Sequence, residues 1–186
     1  IPEKRFEKLW SEDGYLMVLL GPIDIISALK FNESKTKSNR LCFESERLAI
    51  QKQTQETINS LEKAIQLNPD NSTALCLLGG VLNEQNNSEC VSFYEKSLEK
   101  NANCYLAFRG LGNFYLKNQQ FDKSEKNYTH AIEINENRFG PIYKNRGYVR
   151  QQQNKMDDAK QDYRDYIKFT PTAKDRGMIE RALNEM

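Results

Sequence analysis

The stretch AFRGLGNFYLKNQQFDKSEKNYTHAIEINEN, residues 107–137, contains two amphipathic patterns joined by a short polar segment. In each half, apolar or small residues recur at spacings of three and four, which places them on one face of an α-helix. The first half carries Phe108, Leu111, Gly112 and Tyr115, and the second carries Tyr128, Ala131, Ile132 and Asn135. The stretch therefore predicts a helical hairpin in which each helix has one buried face.

The same pattern returns along the chain every 33 to 35 residues. Its Leu-Gly pair has one counterpart upstream and one downstream. The three aligned pairs are Leu78-Gly79, Leu111-Gly112 and Arg146-Gly147. Four segments that end the units also align, and they read LEKAIQLNPDN, YEKSLEKNAN, YTHAIEINEN and YRDYIKFTPT. A repeat of this length indicates stacked helical hairpins, because a single hairpin cannot bury its apolar face alone.

Small residues and prolines stand where such a stack needs them. Gly112 and Ala131 fall at positions where helices of neighbouring hairpins approach closely, and a larger side chain would force the helices apart. Pro69 and Pro171 follow the second helix of their units, where proline ends a helix and fixes the turn into the next element. The residues that allow close helix packing and the residues that end the helices therefore both fit the repeat.

These residues resemble the tetratricopeptide repeat family, whose unit of 34 residues has a W-L-G-Y, A-F, A-P skeleton. The central unit carries the resemblance through Phe108, Leu111, Gly112, Tyr115, Phe121, Tyr128 and Ala131. The following unit matches through Tyr143, Gly147, Ala159, Tyr163 and Pro171, with Arg146 and Arg150 in place of apolar residues. The preceding unit matches through Leu75, Leu78, Gly79, Leu82, Tyr94 and Leu98. A first, degenerate unit keeps Leu41, Leu48, Leu61, Ala64 and Pro69, but Ser45 stands at its glycine site.

The resemblance implies an all-α fold, a right-handed superhelical solenoid of helix-turn-helix repeats. We expect the array over residues 38–172, divided at about 38–70, 71–104, 105–138 and 139–172. Residues 173–186 place apolar side chains on one helical side and are expected to form the C-terminal capping helix that such arrays need. Residues 1–37 are an N-terminal extension. A degenerate additional hairpin is the alternative for this extension, and Pro22 inside its second helix argues against that.

Composition excludes several classes of function. Lys plus Arg is 27 against 26 for Asp plus Glu, so the net charge of +1 favours neither nucleic acid nor an anionic membrane. The most apolar stretch, residues 15–29, contains Gly21, Pro22 and Asp24 and is too short to span a membrane. Four cysteines without a metal or redox spacing indicate buried thiols in a reducing compartment, so we expect a cytoplasmic location.

The sequence offers no catalytic constellation, so we expect a protein that is not an enzyme and that holds no cofactor or metal. The single histidine, His130, has no recurring carboxylate or cysteine beside it. Asp157 and Asp158 are adjacent and suit the first turn of a helix better than a metal site. Cys42 and Cys76 occupy the same repeat position, where a metal or redox pair is the alternative to plain groove residues.

In this family the first helices of successive units line an inner groove. The resemblance therefore implies that residues beside the glycine site meet a partner. The candidates in the first half of the array are mostly apolar, with Phe43 and Leu77 the largest. The candidates in the second half are basic or amide-bearing, namely Arg109, Asn113, Lys117, Lys144, Asn145 and Tyr148. This asymmetry predicts a groove that is apolar at one end and basic at the other.

Some family members bind a C-terminal carboxylate with a clamp of basic residues and asparagines. Arg109, Asn113 and Asn145 stand at three of its positions. The further basic residues of the clamp are missing, unless the terminal segment supplies them through Lys174, Arg176 or Arg181. The alternative is a general basic groove for an acidic segment.

The leading hypothesis is a protein–protein interaction scaffold or adaptor that binds an acidic or carboxylate-bearing peptide segment in its groove. A second hypothesis is a structural subunit that self-associates, for example as a homodimer, through residues 15–29 or the terminal helix. A third is a regulatory fragment of a larger multidomain protein.

Overall fold

The structure, a computed structural model, describes residues 22–134 and 140–185, with side chains from residue 30 onward. These residues form nine α-helices and no strand. The helices are α1 (Pro22–Ile50), α2 (Thr54–Leu67), α3 (Ser72–Glu84), α4 (Cys90–Lys100), α5 (Tyr105–Lys117), α6 (Phe121–Ile134), α7 (Gly140–Gln152), α8 (Met156–Phe169) and α9 (Arg176–Glu185). The predicted all-α class is confirmed. Asn135 and Met186 lie outside the described residues.

Consecutive helices pair into four hairpins, α1 with α2, α3 with α4, α5 with α6 and α7 with α8. Each hairpin packs against the next one in the chain, and the first helices of neighbouring hairpins also meet. The apolar core is correspondingly divided into clusters that follow one another along the stack. The chain is therefore a helical repeat solenoid, as the period predicts.

A tyrosine on the second helix explains the recurring glycine on the first. A Cβ atom added to Gly112 would lie 2.6 Å from the ring of Tyr128, which is fully buried. The same relation holds in the neighbouring hairpins, with 3.0 Å between Gly79 and Tyr94 and 3.1 Å between Gly147 and Tyr163. Only glycine allows the helices of a hairpin to approach this closely.

In the degenerate first repeat, smaller side chains occupy both the tyrosine site and the position that faces it. Leu61 stands where the later hairpins have tyrosine, and it is fully buried. Because leucine is smaller than tyrosine, Ser45 fits at the glycine site, and its hydroxyl donates to the carbonyl of Cys42 at 2.6 Å. The departure from the family pattern is therefore compensated across the hairpin.

Helix α1 crosses the expected boundary between the N-terminal extension and the array. It begins at Pro22, a position that tolerates proline because the first N–H groups of a helix have no partner within it. It continues to Ile50, so no turn separates the described part of the N-terminal extension from the first repeat. From Ser38 onward it packs on the array: the Ser38 hydroxyl donates to the Ala64 carbonyl at 2.7 Å. The remainder of the proposed additional hairpin, residues 1–21, lies outside the described residues.

Helix α9 covers the end of the array. Ile179 is buried against Tyr163 and Tyr166 of α8, with Ala173 and Leu183 packed beside them. The helix begins at Arg176 rather than at residue 173. Of the residues predicted on its apolar side, Met178 points away and is 60% exposed.

The last hairpin contains a buried ionic cluster. Asp162 of α8 is 1% exposed and accepts two hydrogen bonds from Arg146, at 2.6 and 3.0 Å, and one from Arg150 at 2.9 Å. Arg150 also donates to Glu125 of α6 at 2.9 Å, and Lys155 forms an ion pair with the same carboxylate. The two arginines that depart from the repeat pattern are thus compensated by a carboxylate on the facing helix.

Candidate partner-binding groove

A cleft of about 560 Å³ opens between α3 and α5. Helices α1 and α7 contribute to its ends, so residues from all four hairpins surround it. Its volume lies within the range of sites that bury a sizeable ligand group. Its lining combines apolar, amide and basic side chains, and includes Ala49, Cys76, Leu77, Gly80, Val81, Asn83, Glu84, Tyr94, Leu106, Arg109, Gly110, Asn113, Leu116, Lys117 and Asn145.

The cleft brings together five of the eight predicted groove residues. They are Leu77, Arg109, Asn113, Lys117 and Asn145. Lys144 and Tyr148 instead line a second hollow of about 250 Å³, bounded by α5, α7, α8 and α9, which shares Leu116 and Asn145 with the cleft. Phe43 is 74% exposed on α1 and lines neither. The predicted surface is therefore divided, and the cleft is its larger part.

A chain of amide hydrogen bonds fixes the asparagines of the cleft. The Oδ1 atom of Asn113 accepts from the hydroxyl of Tyr128 at 2.6 Å and from Nδ2 of Asn145 at 3.2 Å. Burial raises the pKa of Tyr128, so its hydroxyl stays protonated and donates. Both asparagines are therefore held in one orientation before any partner arrives.

Two cations flank the same cleft. Lys117 donates from Nζ to the carbonyl of Asn83 at 2.9 Å, which holds its ammonium at the edge of the cleft. Arg109 lies close enough to Tyr94 and Tyr128 to act on both: burial raises the pKa of each hydroxyl, and the guanidinium partly offsets this. The centre of the groove therefore carries positive charge beside apolar walls.

Lys144, in contrast, already binds a carboxylate of this chain. Its ammonium lies 2.8 Å from Oδ2 of Asp175, the residue before α9, and the hydroxyl of Tyr166 donates to the other oxygen. Hydrogen bonds from Lys144 and Tyr166 hold the pKa of Asp175 below its usual range. Lys144 as a partner-binding residue stays a prediction, and a partner that binds it would have to compete with Asp175 for its ammonium group.

The terminal segment does not bring the missing clamp cations to the groove. Arg176 donates to Glu180 at 2.8 Å, and Arg181 donates to the carbonyl of Gly177 at 3.2 Å. Neither they nor Lys174 line the cleft or the second hollow.

Cys76, the cysteine that lines the cleft, does not pair with Cys42, the partner that its repeat position suggested. The thiol of Cys76 contacts Cys104, the residue that precedes α5, rather than Cys42. The hydrogen bond with Cys76 lowers the pKa of Cys104 to about 6. Cys42 instead accepts from Nδ2 of Asn71 at 3.7 Å. Repeat position alone could not reveal this contact, because it joins the middle of one helix to the start of another.

Residues 22–134 and 140–185 were also compared with the requirements of a metal site and of a membrane-spanning helix. No group of three or more His, Cys, Asp or Glu side chains among them is arranged to hold a metal ion. None of their helices is both long and apolar enough to cross a membrane.

The stacked hairpins with a cleft between first helices define a helical repeat protein of the class that serves as protein–protein interaction scaffolds. Within this class, residues 110–138 match the model of the tetratricopeptide repeat family. The predicted resemblance is confirmed over this segment, and the fold of the described residues agrees with it. A search of the curated proteins finds no match.

Solved structures share this architecture. PilF from Pseudomonas aeruginosa superposes with a TM-score of 0.74 at 15% identity, over 83% of this chain and 69% of that one. A MamA structure gives a TM-score of 0.63 at 15% identity, over 80% and 85%. MamA from Desulfovibrio magneticus RS-1 gives 0.61 at 16% identity, over 75% and 79%. At such identities the similarity concerns the fold alone.

Proposed function

We propose that this chain is an interaction scaffold that binds an acidic peptide segment of a partner protein in the cleft between α3 and α5. The observation that carries the proposal is the composition of that cleft. Leu77 and Leu106 supply apolar wall, while Arg109 and Lys117 supply positive charge on the same opening. An extended or helical segment with acidic residues around an apolar one is complementary to this surface.

The oriented amides suit the main chain of such a segment. Asn113 and Asn145 are held by Tyr128 and by each other, so little side-chain entropy is lost when they bind a peptide. Each neutral hydrogen bond to the peptide contributes about 0.5–1.5 kcal/mol, and each charge-assisted bond contributes about 1.5–3 kcal/mol. Most of the affinity therefore depends on apolar contact and charge together.

A general acidic segment is favoured over a clamped C-terminal carboxylate. The clamp needs further cations beside the asparagines, and Lys174, Arg176 and Arg181 line neither opening. Lys144 is paired with Asp175. An internal acidic segment needs none of these groups.

The test is a peptide array that compares acidic sequences with their Asn and Gln counterparts. We expect Arg109→Ala and Lys117→Glu to weaken binding of the acidic set, and added salt to weaken it for the unaltered chain. Lys63→Glu changes the charge equally at an exposed site on α2 outside the cleft and is the matched control. Equal binding by the unaltered chain and both cleft variants would refute the assignment.

Self-association is a second proposal, based on exposed apolar groups on α1. Phe43 is 74% exposed and Ile50, seven residues later on the same side of the helix, is 83% exposed. A second copy of the chain that covers this side would form a homodimer. Light scattering over a concentration series tests it: a constant monomer mass would exclude the dimer.

A cytoplasmic location also stays a proposal, supported by four free cysteines.

A further inference from the structure

The floor of the cleft lacks a side chain at one repeat position. The residue after the glycine site is Asn113 in the third repeat, where its side chain accepts from Tyr128 at 2.6 Å. In the second repeat the same position is Gly80. A Cβ atom there would meet only the hydroxyl oxygen of Tyr94, at 4.0 Å. The space that Asn113 fills in one repeat is therefore open in the other.

Packing does not require glycine at this position. Gly79 and Gly110 both face the ring of Tyr94, and a Cβ atom on them would lie 3.0 and 2.2 Å from it. Gly80 has no such neighbour, yet glycine inside a helix is less stable than alanine. The residue therefore weakens α3 without helping the fold, while it keeps the cleft open.

The open space has apolar walls and a polar end. Leu77, Val81 and Leu106 are among the apolar residues that line the cleft with Gly80. Asn83, which is 7% exposed, and Tyr94 line the same cleft. The Oδ1 atom of Asn83 is buried and has no hydrogen-bond partner within the described part of the chain. An unpaired buried acceptor is costly, so a donor brought by a ligand would be favoured there.

We propose that this space is a subsite for a tyrosine side chain of the bound segment. The inference rests on the proposed function and specifies the residue recognised. The ring packs between Leu77, Val81 and Leu106 over Gly80. The carboxamide of Asn83 turns toward the cleft and accepts from the ligand hydroxyl, which in turn accepts from the hydroxyl of Tyr94. Walls of this kind bind any aromatic ring, and the polar end selects the one with a hydroxyl group.

The experiment uses three fluorescein-labelled acidic peptides that differ only at a central Tyr, Phe or Ala, titrated with the full chain by fluorescence polarisation. We expect the Tyr peptide to bind about twofold to tenfold more tightly than the Phe peptide, the effect of one hydrogen bond. The Phe peptide should exceed the Ala peptide by at least about tenfold, because only the ring buries apolar surface. Equal binding of the three would overturn the subsite but leave the acidic groove intact. Failure of all three to bind would overturn the proposed function as well.

Variants locate the effect. Gly80→Asn reproduces the third repeat and fills the space, so all three peptides should bind as the Ala peptide does. Asn83→Ala should remove the preference for Tyr over Phe and keep that for Phe over Ala. Gly177→Ala is the control, since its Cβ atom meets nothing within 4 Å and it lies outside the cleft. A full preference for Tyr in Gly80→Asn, with helical content unchanged, would contradict the assignment.

Discussion

The second and fourth repeats fill the same three packing positions with opposite chemistry. In the second repeat these positions hold Leu78, Leu82 and Phe93, which belong to one apolar cluster. In the fourth repeat the aligned positions hold Arg146, Arg150 and Asp162, which form the buried ionic cluster. Both sets of residues lie in a helical hairpin with the same glycine–tyrosine contact. A repeat therefore specifies the shape of its hairpin through the glycine and tyrosine, while the surrounding positions accept either chemistry if they change together.

The difference has a functional side. The apolar second repeat borders the cleft, which contains the open position at Gly80 and the Asn83 Oδ1 atom that has no hydrogen-bond partner among the described residues. In the fourth repeat the charges are already paired within the chain, including Lys144 with Asp175. The cations that line the cleft, Arg109 and Lys117, belong to the third repeat and lie beside the apolar wall.

Removal of the buried Asp162 carboxylate should have the largest effect on stability and tests the comparison of the two repeats most severely. Asp162→Ala leaves the largely buried Arg146 without a carboxylate partner and Arg150 with Glu125 alone, and it should lower the free energy of unfolding by about 3–5 kcal/mol. The triple change Arg146→Leu, Arg150→Leu and Asp162→Phe installs the residues of the second repeat and should be about as stable as the unaltered chain, or more stable. Urea unfolding measures both. A triple variant as unstable as Asp162→Ala would contradict the equivalence of the two repeats.

Two glycine-to-alanine substitutions should change the stability of the chain in opposite directions. Gly112→Ala forces a methyl group against the buried ring of Tyr128 and should destabilise the chain by about 1–3 kcal/mol. Gly80→Ala meets open space and should stabilise it by up to about 1 kcal/mol, because alanine is the better helix former. Thermal unfolding of the two variants side by side is the measurement. A loss of stability in Gly80→Ala would show that the fold, and not a ligand, requires this glycine.

Acid should loosen the fourth repeat before the second. Burial alone would raise the pKa of Glu125, but hydrogen bonds from Lys155 and Arg150 outweigh it and hold this pKa below the usual 4.5. A lowered folded-state pKa contributes stability above the unfolded value, and this stability is lost as the pH falls through the folded one. Hydrogen exchange at pH 3 and pH 6 should show protection lost in α6 to α8 ahead of α3 and α4. Uniform loss would argue against an ionic contribution.

The smallest effect is expected at the partly exposed pair of Lys144 and Asp175. Asp175→Asn should change the free energy of unfolding by less than about 1 kcal/mol, because solvent screens this interaction. Its local effect should be looser attachment of α9, seen as faster limited proteolysis after residue 175. A proteolysis rate equal to that of the unaltered chain would show that Ile179 alone holds the helix.

Periodicity predicted the helices, the glycine contacts and the family, because these depend on local spacing. It could not predict contacts that depend on the rotation of one helix against another. Arg146 and Arg150 were recognised as departures from the repeat, but their partner Asp162 lies on the facing helix, at a position without a family signature. The open space over Gly80 could not be predicted either. It is recognised only by comparing the structure at Gly80 with that at Asn113, the residue at the same position of the next repeat.

The central claim, that the cleft between α3 and α5 binds a partner segment, is tested most directly by amide NMR during titration with the acidic tyrosine peptide. The account predicts the largest chemical-shift changes in residues 72–84 and 105–117, with little change in α2, α4 and α6. Largest changes on α2, α4 and α6, with α3 and α5 unaffected, would contradict it.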